Sequence, residues 1–322
     1  MRIYCNATLW PICFGLFISL GNCFADQIQS NPPNTPSLFS RAQLVGRLED
    51  SRLVECSGMD TSSTSNDLIW AVNDSGDGPY IYALDYDGSN MGRLQVAGAQ
   101  NRDWEGLATF IWQNRPMILI ADFGDNKEKH DSHILYIVEE PHVADLSIAE
   151  DTVVEIAWQI GFSYPDGSHD AEGVAVDVES GKVLVLTKRD TPPLLFELPL
   201  IPPKDHVPAK KITAVSQIPP PTDEDRQQRY GKYRSQPTAL DISLDGRRAV
   251  VLTYKHAYLF NRPNRGSWLK AFSKQPLTIP LPLPEEQVDL RQREAICFTP
   301  VGDSLIVTSE GSGAGIYVLN PP

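Results

Sequence analysis

Cysteine, long apolar runs and net positive charge are what this 322-residue sequence has least of. Its five cysteines fall to Cys56 and Cys297 once the first 25 residues are set aside, so there is no disulfide framework. Two buried thiols and a single disulfide both fit these positions. The prominent apolar run, residues 9–20 (LWPICFGLFISL), is too short to span a bilayer comfortably. It follows the basic Arg2 and leads to small residues ending at Ala25, the layout of a secretory signal peptide. Cleavage after Ala25 is the expectation; the alternative, a lipoprotein site at Cys23, fits poorly because Asn22 stands where a small residue is needed. No later stretch is apolar enough to cross a membrane, so a secreted or periplasmic protein is expected. The domain organisation read from this is a signal peptide at 1–25, a flexible linker at 26–42 and one domain at 43–322.

The formal charge of −13 disfavours nucleic acid and anionic membranes as partners and favours cations or cationic partners. Several chemistries are also missing. No Cys/His cluster suggests zinc, no segment has the spacing of an EF-hand loop, and no nucleophile elbow precedes a helix. The Gly-rich run from Ser309 to Gly313 lacks the lysine and following helix of a phosphate loop.

What the sequence does have is a repeat. A small residue ahead of an apolar stretch recurs as Gly58, Gly106, Gly173, Ala239 and Ala295, roughly 50–70 residues apart. Each is followed by two more β-branched and aromatic runs, such as LIWAVND and YIYALDY or MILIADF and ILYIVEE. A fourth run (LQVAGA, TVVEIAWQI, KITAVSQI, PLTIPLPL) follows units one to four but not unit five. An unpartnered run, QLVGRLE at 43–49, precedes unit one. An N-terminal strand that completes the last unit would leave no open edge. The fold class expected is all-β: a single β-propeller of five four-stranded blades, with six blades as the alternative, its ring closed by the N-terminal strand. A β-sandwich is the competing architecture. Helix is expected at most as one turn over residues 146–151.

In a four-stranded meander the start of the first strand and the end of the second share one face. That puts Glu105, Glu172, Glu294, Asp103 and Asp170 at the same channel mouth as Asp74 and Asp122, with Lys188, Arg189, Tyr254 and Lys255 at the matching places in units three and four. So many carboxylates at one opening repel each other unless a positive charge compensates. A hard cation with oxygen ligands, Ca²⁺ by preference, is the candidate, and the seven carboxylates are its candidate ligands. The competing description makes the Asp, Asn and Gly clusters ordinary strand-end turns, compensated by the nearby Lys and Arg. His169 is the one histidine placed for proton transfer. An insertion before unit four, running from Pro219 through Thr222-Asp223-Glu224-Asp225 to Arg234, is expected to fold over the same mouth and contribute to recognition.

Asp103-x-Glu105-Gly106, Ala121-Asp122-Phe123-Gly124-Asp125-Asn126, Leu135-Tyr136, Glu140-Pro141 and Asp170-x-Glu172-Gly173 together resemble the exported bacterial propellers labelled esterase-like or phytase-like. The chain is more loosely similar to the SdiA-regulated periplasmic propellers, a resemblance that implies Asp-x-Glu-Gly elements with a calcium site. Gln236-Pro237-Thr238-Ala239 in unit four departs from the pattern. Two functions fit. In the first, the mouth recognises a small anionic ligand or protein partner through Lys188, Arg189, Lys255, Arg234 and Tyr254, without chemistry. In the second, a metal-dependent hydrolase of phosphate or carboxylate esters uses the cation to activate water. The first is the expectation, and enzyme status stays open.

Overall fold

A computed structural model describes residues 42–282 and 292–320. The expected signal peptide, its expected cleavage site and the expected linker up to residue 41 lie outside the described residues. Among those described, no helix is long and apolar enough to cross a membrane.

The fold is all-β. Strand β1 (Gln43–Arg47) stands before five units. Unit one holds β2 (Cys56–Thr61), β3 (Ile69–Asn73), β4 (Tyr80–Leu84) and β5 (Asn90–Ala97). Unit two holds β6 (Trp104–Trp112), β7 (Arg115–Asp122), β8 (His133–Glu139) and β9 (Thr152–Ser163). Unit three comprises β10 (Ala171–Asp177), β11 (Lys182–Thr187), β12 (Leu194–Pro199), a short β13 (His206–Pro208) and β14 (Lys210–Ala214). Unit four comprises β15 (Pro237–Ile242), β16 (Arg248–Thr253), β17 (His256–Asn261) and β18 (Leu277–Pro280). Unit five has three strands of its own, β19 (Arg293–Phe298), β20 (Leu305–Ser309) and β21 (Gly315–Leu319). Its fourth is β1, which pairs antiparallel with β21, Gln43 opposite Val318.

Alternation along these strands sends neighbouring side chains into different cores. Each apolar core lies between two consecutive units. Trp70, Leu94, Leu107 and Ile120 fill the one between units one and two. Leu119, Phe162, Val174 and Phe196 fill the next. Leu184 and Val251 belong to the core between three and four, Val250 and Ile296 to the one between four and five. Met59, Tyr82, Cys297 and Ile316 close the series between units five and one. The first strands pack in the same cyclic order, β2 on β6, β6 on β10, β10 on β15, β15 on β19 and β19 on β2. Cys56 and Cys297 are both buried free thiols, which decides between the two states left open by the sequence.

The recurring small residue has a steric cause. A Cβ on Gly58 would lie 2.6 Å from the Cα of Gly106, and one on Gly173 would lie 2.9 Å from the Cβ of Leu240. First strands of adjacent units approach too closely there for a larger residue.

Three features depart from expectation. Units one and two share one sheet, because the long β9 runs parallel to β5 from Thr152 to Glu155. The same strand takes β13 in parallel at Gly161–Ser163. Helical turns are also placed differently: residues 146–151 are not helical, whereas α1 (Asp223–Gln227) and α2 (Trp268–Phe272) are. Helix α2 buries Trp268 and Phe272, the latter with its ring centroid 4.5 Å from that of Phe260.

Candidate functional site

Every first strand carries a β-bulge at the same place. Pairing with the second strand shifts register between Cys56 and Gly58, Trp104 and Gly106, Ala171 and Gly173, Pro237 and Ala239, and Arg293 and Ala295. The extra residues are Ser57, Glu105, Glu172, Thr238 and Glu294, and a bulge re-aims the side chain it carries. In units one and four that side chain ties the next unit down. Ser57 Oγ donates to the carbonyl of Trp104 at 2.7 Å, and Thr238 Oγ1 to that of Arg293 at 2.8 Å. This accounts for the missing carboxylate in unit four.

In units two, three and five the bulged residue is a glutamate, each about 4 % exposed or less. Lys188, from the end of β11, forms an ion pair with Glu172 Oε1. Its ammonium lies 5.4 Å from the centroid of the Tyr254 ring, and the Tyr254 hydroxyl donates to Glu294 Oε1 at 2.6 Å. The remaining oxygens, Glu172 Oε2 and Glu294 Oε2, are buried with no nitrogen or hydroxyl donor. Burial raises all three glutamates, Glu105 and Glu172 well above the usual carboxylate range. Burial alone would push the Lys188 ammonium toward its neutral form, but Glu172, Glu294, Tyr254 and Glu105 outweigh it and hold the charge. The floor of the mouth is therefore neutralised by a lysine of the chain.

One step to the side the compensation stops. Oxygens of Asp74, Asp103 and Glu105 all lie within 4.8 Å of one another. Burial first, then a hydrogen bond to Asp74, pushes Asp103 up to about 7. Gly124 is the reason for the opening. It donates its N–H to the Asp103 carbonyl at 3.1 Å, as Lys188 does to Asp170 at 2.8 Å, so the two hold equivalent positions. By the same contact Asp74 and Glu310 are their counterparts in units one and five. A Cβ on Gly124 would sit 2.6 Å from Asp103 Oδ2 and 2.7 Å from Glu105 Oε1. The donor set is three carboxylates with no nitrogen or sulfur, and Glu105 has no hydrogen-bond partner among the described residues; both fit a hard cation.

The other predicted ligands face other tasks. Asp122 accepts from the Asp103 backbone at 2.9 Å and lies 3.9 Å from Arg102. Asp170 accepts from the Asp125 backbone at 2.9 Å and pairs with Arg189 Nε at 2.6 Å. Both hold the backbone that carries the site. The expected anion-binding groups already have partners. Arg189 also bonds Asn126 Oδ1. Lys255 Nζ donates to both oxygens of Asp225 at 2.8 Å, and Arg234 pairs with the same carboxylate at 3.3 Å. Burial works to raise Asp225, but hydrogen bonds from Lys255 and Thr222 prevail and bring it down to about 2. His169 is enclosed by carboxylates, Nδ1 3.0 Å from Asp190 and Nε2 3.1 Å from Asp166.

Asp225 is the residue the sequence reading passed over. Its signal was the Thr222-x-x-Asp225 spacing, which forms a capping box at the start of α1. Through it the insertion is fastened to unit four and hangs over the mouth as expected. A cavity of about 870 Å³ results. It is lined by Asp74, Glu105, Glu172, Glu294 and Glu310, by Lys188, Arg189, Arg229 and Arg234, and by Tyr230, Tyr233 and Tyr254. A second cavity, about 330 Å³, is lined by Asp60 and Asp241. Those two carboxylates accept from the Thr109 and Phe298 backbones, each at 2.7 Å, and so tie unit one to two and unit four to five.

No family model matches this chain, and no curated protein matches it. The crystal structure of Raptor from Chaetomium thermophilum is similar over 88% of this chain and 30% of the Raptor chain, at 12% identity and a TM-score of 0.44. The chain thus spans less than a third of that protein, and a likeness this distant carries no argument.

Proposed function

We propose that this chain is an exported five-bladed β-propeller whose acidic mouth binds a small ligand and holds a divalent cation, Ca²⁺ by its donors, between Asp74, Asp103 and Glu105. The cyclic packing of five first strands, the apolar core between each consecutive pair of units and the pairing of β1 with β21 support the propeller. The observation that carries the cation is the convergence of three carboxylates within 4.8 Å, beside Gly124, where any side chain would fill the space. When bound, the ion supplies the positive charge that the cluster lacks. The ligand set is narrower than the seven carboxylates of the sequence: Glu172 and Glu294 have Lys188, Asp170 has Arg189, and Asp122 caps backbone.

Binding is favoured over ester hydrolysis because the four cations expected from the sequence to meet an anionic group are engaged. Lys188, Arg189, Arg234 and Lys255 each face a carboxylate. Calorimetric titration of the mature chain with calcium tests the reading. One site per chain is expected, weakened about tenfold or more by Glu105→Gln, since one of three charged ligands is lost. Absence of binding, or binding indifferent to Glu105→Gln, would contradict it.

A further inference from the structure

The bulges lie at the starts of the first strands, and the later residues of the same five strands meet at the second cavity, of about 330 Å³. It is lined by Asp60 of β2, Ile111 of β6, Val176 of β10, Asp241 of β15 and Phe298 of β19. Asp60 and Asp241 hold one place in the repeat, two residues after Gly58 and Ala239, where the other units have Ala108, Ala175 and Cys297. Both are more than nine-tenths buried. Their oxygens accept from backbone N–H groups, Asp60 from Thr61 and Thr109, Asp241 from Ile242 and Phe298, at 2.6 or 2.7 Å. Those dipoles do not cancel a charge, and neither carboxylate has an ion pair among the described residues. The third buried acid of the cavity, Asp177, does have one, with Arg262 at 2.9 Å. Arg265, the one basic residue of the lining, is engaged by Glu179 at 3.2 Å. Ile111, Val178 and Leu244 line the same cavity and are 44%, 37% and 72% exposed. The buried part of the cavity thus holds two carboxyls without a cation, and its opening carries exposed aliphatic side chains.

We propose that this cavity binds a primary amine with an apolar body, its ammonium donating to Asp60 and Asp241 and its hydrocarbon lying along Ile111, Val178 and Leu244. The site is independent of the cation assigned to the acidic mouth. Two buried carboxyls without a cation resist ionising together: burial first, then Asp241, raises Asp60. An ammonium supplies the missing charge, and its three N–H groups suit the lone pairs that the backbone leaves free. A bare hard ion needs six to eight oxygen ligands. Here the lining is largely apolar, and among the described residues the one group of three close metal-ligating side chains is at the acidic mouth. An anionic ligand would meet only like charge, and a neutral one would leave the two acids uncompensated. The volume, about 330 Å³, is at the lower end of the roughly 300–1,000 Å³ typical of ligand sites. It suits a compact monoamine, with the aliphatic rim covering the chain that the ammonium carries in.

The test is calorimetric titration of the mature chain with hexylamine, hexanol, hexanoate and methylamine. A pH of about 8 keeps the amines charged and lies above the value of about 7 to which burial raises Asp241. Hexylamine is expected to bind, with hexanol and hexanoate weaker by about tenfold or more, the worth of a charge-assisted hydrogen bond. Methylamine, which has the charge without the body, should be weaker by about a hundredfold. Asp241→Asn should remove most of the preference for hexylamine over hexanol. Leu244→Lys, at an exposed position that leaves the fold intact, should weaken hexylamine several-fold and spare hexanol, because it sets a like charge at the opening. Saturating calcium should change none of this. No binding of hexylamine at millimolar concentration overturns the proposal, as does equal binding of hexylamine and hexanol. Hexylamine binding that calcium displaces, or that Leu244→Lys leaves untouched, puts the amine elsewhere and overturns it too.

Discussion

Units two and three begin with nearly the same words, Asp103-Trp104-Glu105-Gly106 and Asp170-Ala171-Glu172-Gly173, yet their carboxylates meet opposite surroundings. The same bulge turns Glu105 and Glu172 toward the mouth. In unit three the second strand ends in Lys188-Arg189, and these pair with Glu172 and Asp170. In unit two the position equivalent to Lys188 is Gly124, and Asp103 and Glu105 are left facing Asp74. An acidic motif therefore has no fixed meaning in this fold. Its role is set by what ends the neighbouring strand, where a lysine makes it a closed floor and a glycine makes it an open cluster.

Removing the lysine should break the contrast with the largest effect. Lys188→Met leaves Glu172 and Glu294 buried without their cation, and a loss of about 3–5 kcal/mol is expected in denaturant unfolding. If the variant is as stable as the parent, the floor is not held by Lys188. The ties in units one and four give a smaller effect of a different kind. Ser57→Ala or Thr238→Ala strands a buried carbonyl and should cost about 1–3 kcal/mol in the same assay. Calcium affinity should not change, because neither hydroxyl reaches the cluster.

Much of this arrangement was legible in the sequence. Five small residues marked the first strands, and the surplus strand at the N-terminus was rightly paired with β21. The alignment of Glu105, Glu172 and Glu294 followed from the repeat alone. What could not be read was which carboxylates are compensated. Asp103 and Asp170 occupy the same place in the repeat, and only the bulge and the following turn decide that one meets Arg189 and the other a glycine. Spacing also counted Asp122 as a ligand, although its carboxylate turns back to the Asp103 backbone. Charge balance across units is a property of the assembled ring, and sequence position does not encode it.

The opposite cavity separates acidity at the cation cluster from acidity elsewhere. Burial pushes Asp241 up to about 7 and Asp60 well above its usual range. A carboxyl raised in the folded state contributes stability below its ordinary value near 4, and that stability is lost as pH rises through 7. Thermal unfolding should therefore show stability declining over that window, and Asp241→Asn should flatten the decline. Calcium should leave this contribution unchanged; a slope that calcium abolishes entirely would mean the titrating groups all lie at the other mouth.

Gly124→Ala is the subtlest change, since it adds one methyl group to the space beside Asp103 and Glu105. Calcium affinity should fall several-fold, because the methyl falls on the Asp103 and Glu105 carboxylates. Unchanged calcium affinity would mean that the opening at Gly124 has no part in binding.

The location of the ion tests the central contrast most directly. Crystals of the mature protein grown with manganese in place of calcium would give an anomalous difference peak wherever the metal sits. The account predicts one peak in reach of Asp74, Asp103 and Glu105, beside Gly124, with Lys188 still on Glu172. No peak at that cluster, or a peak between Glu172 and Glu294 with Lys188 displaced, would contradict it.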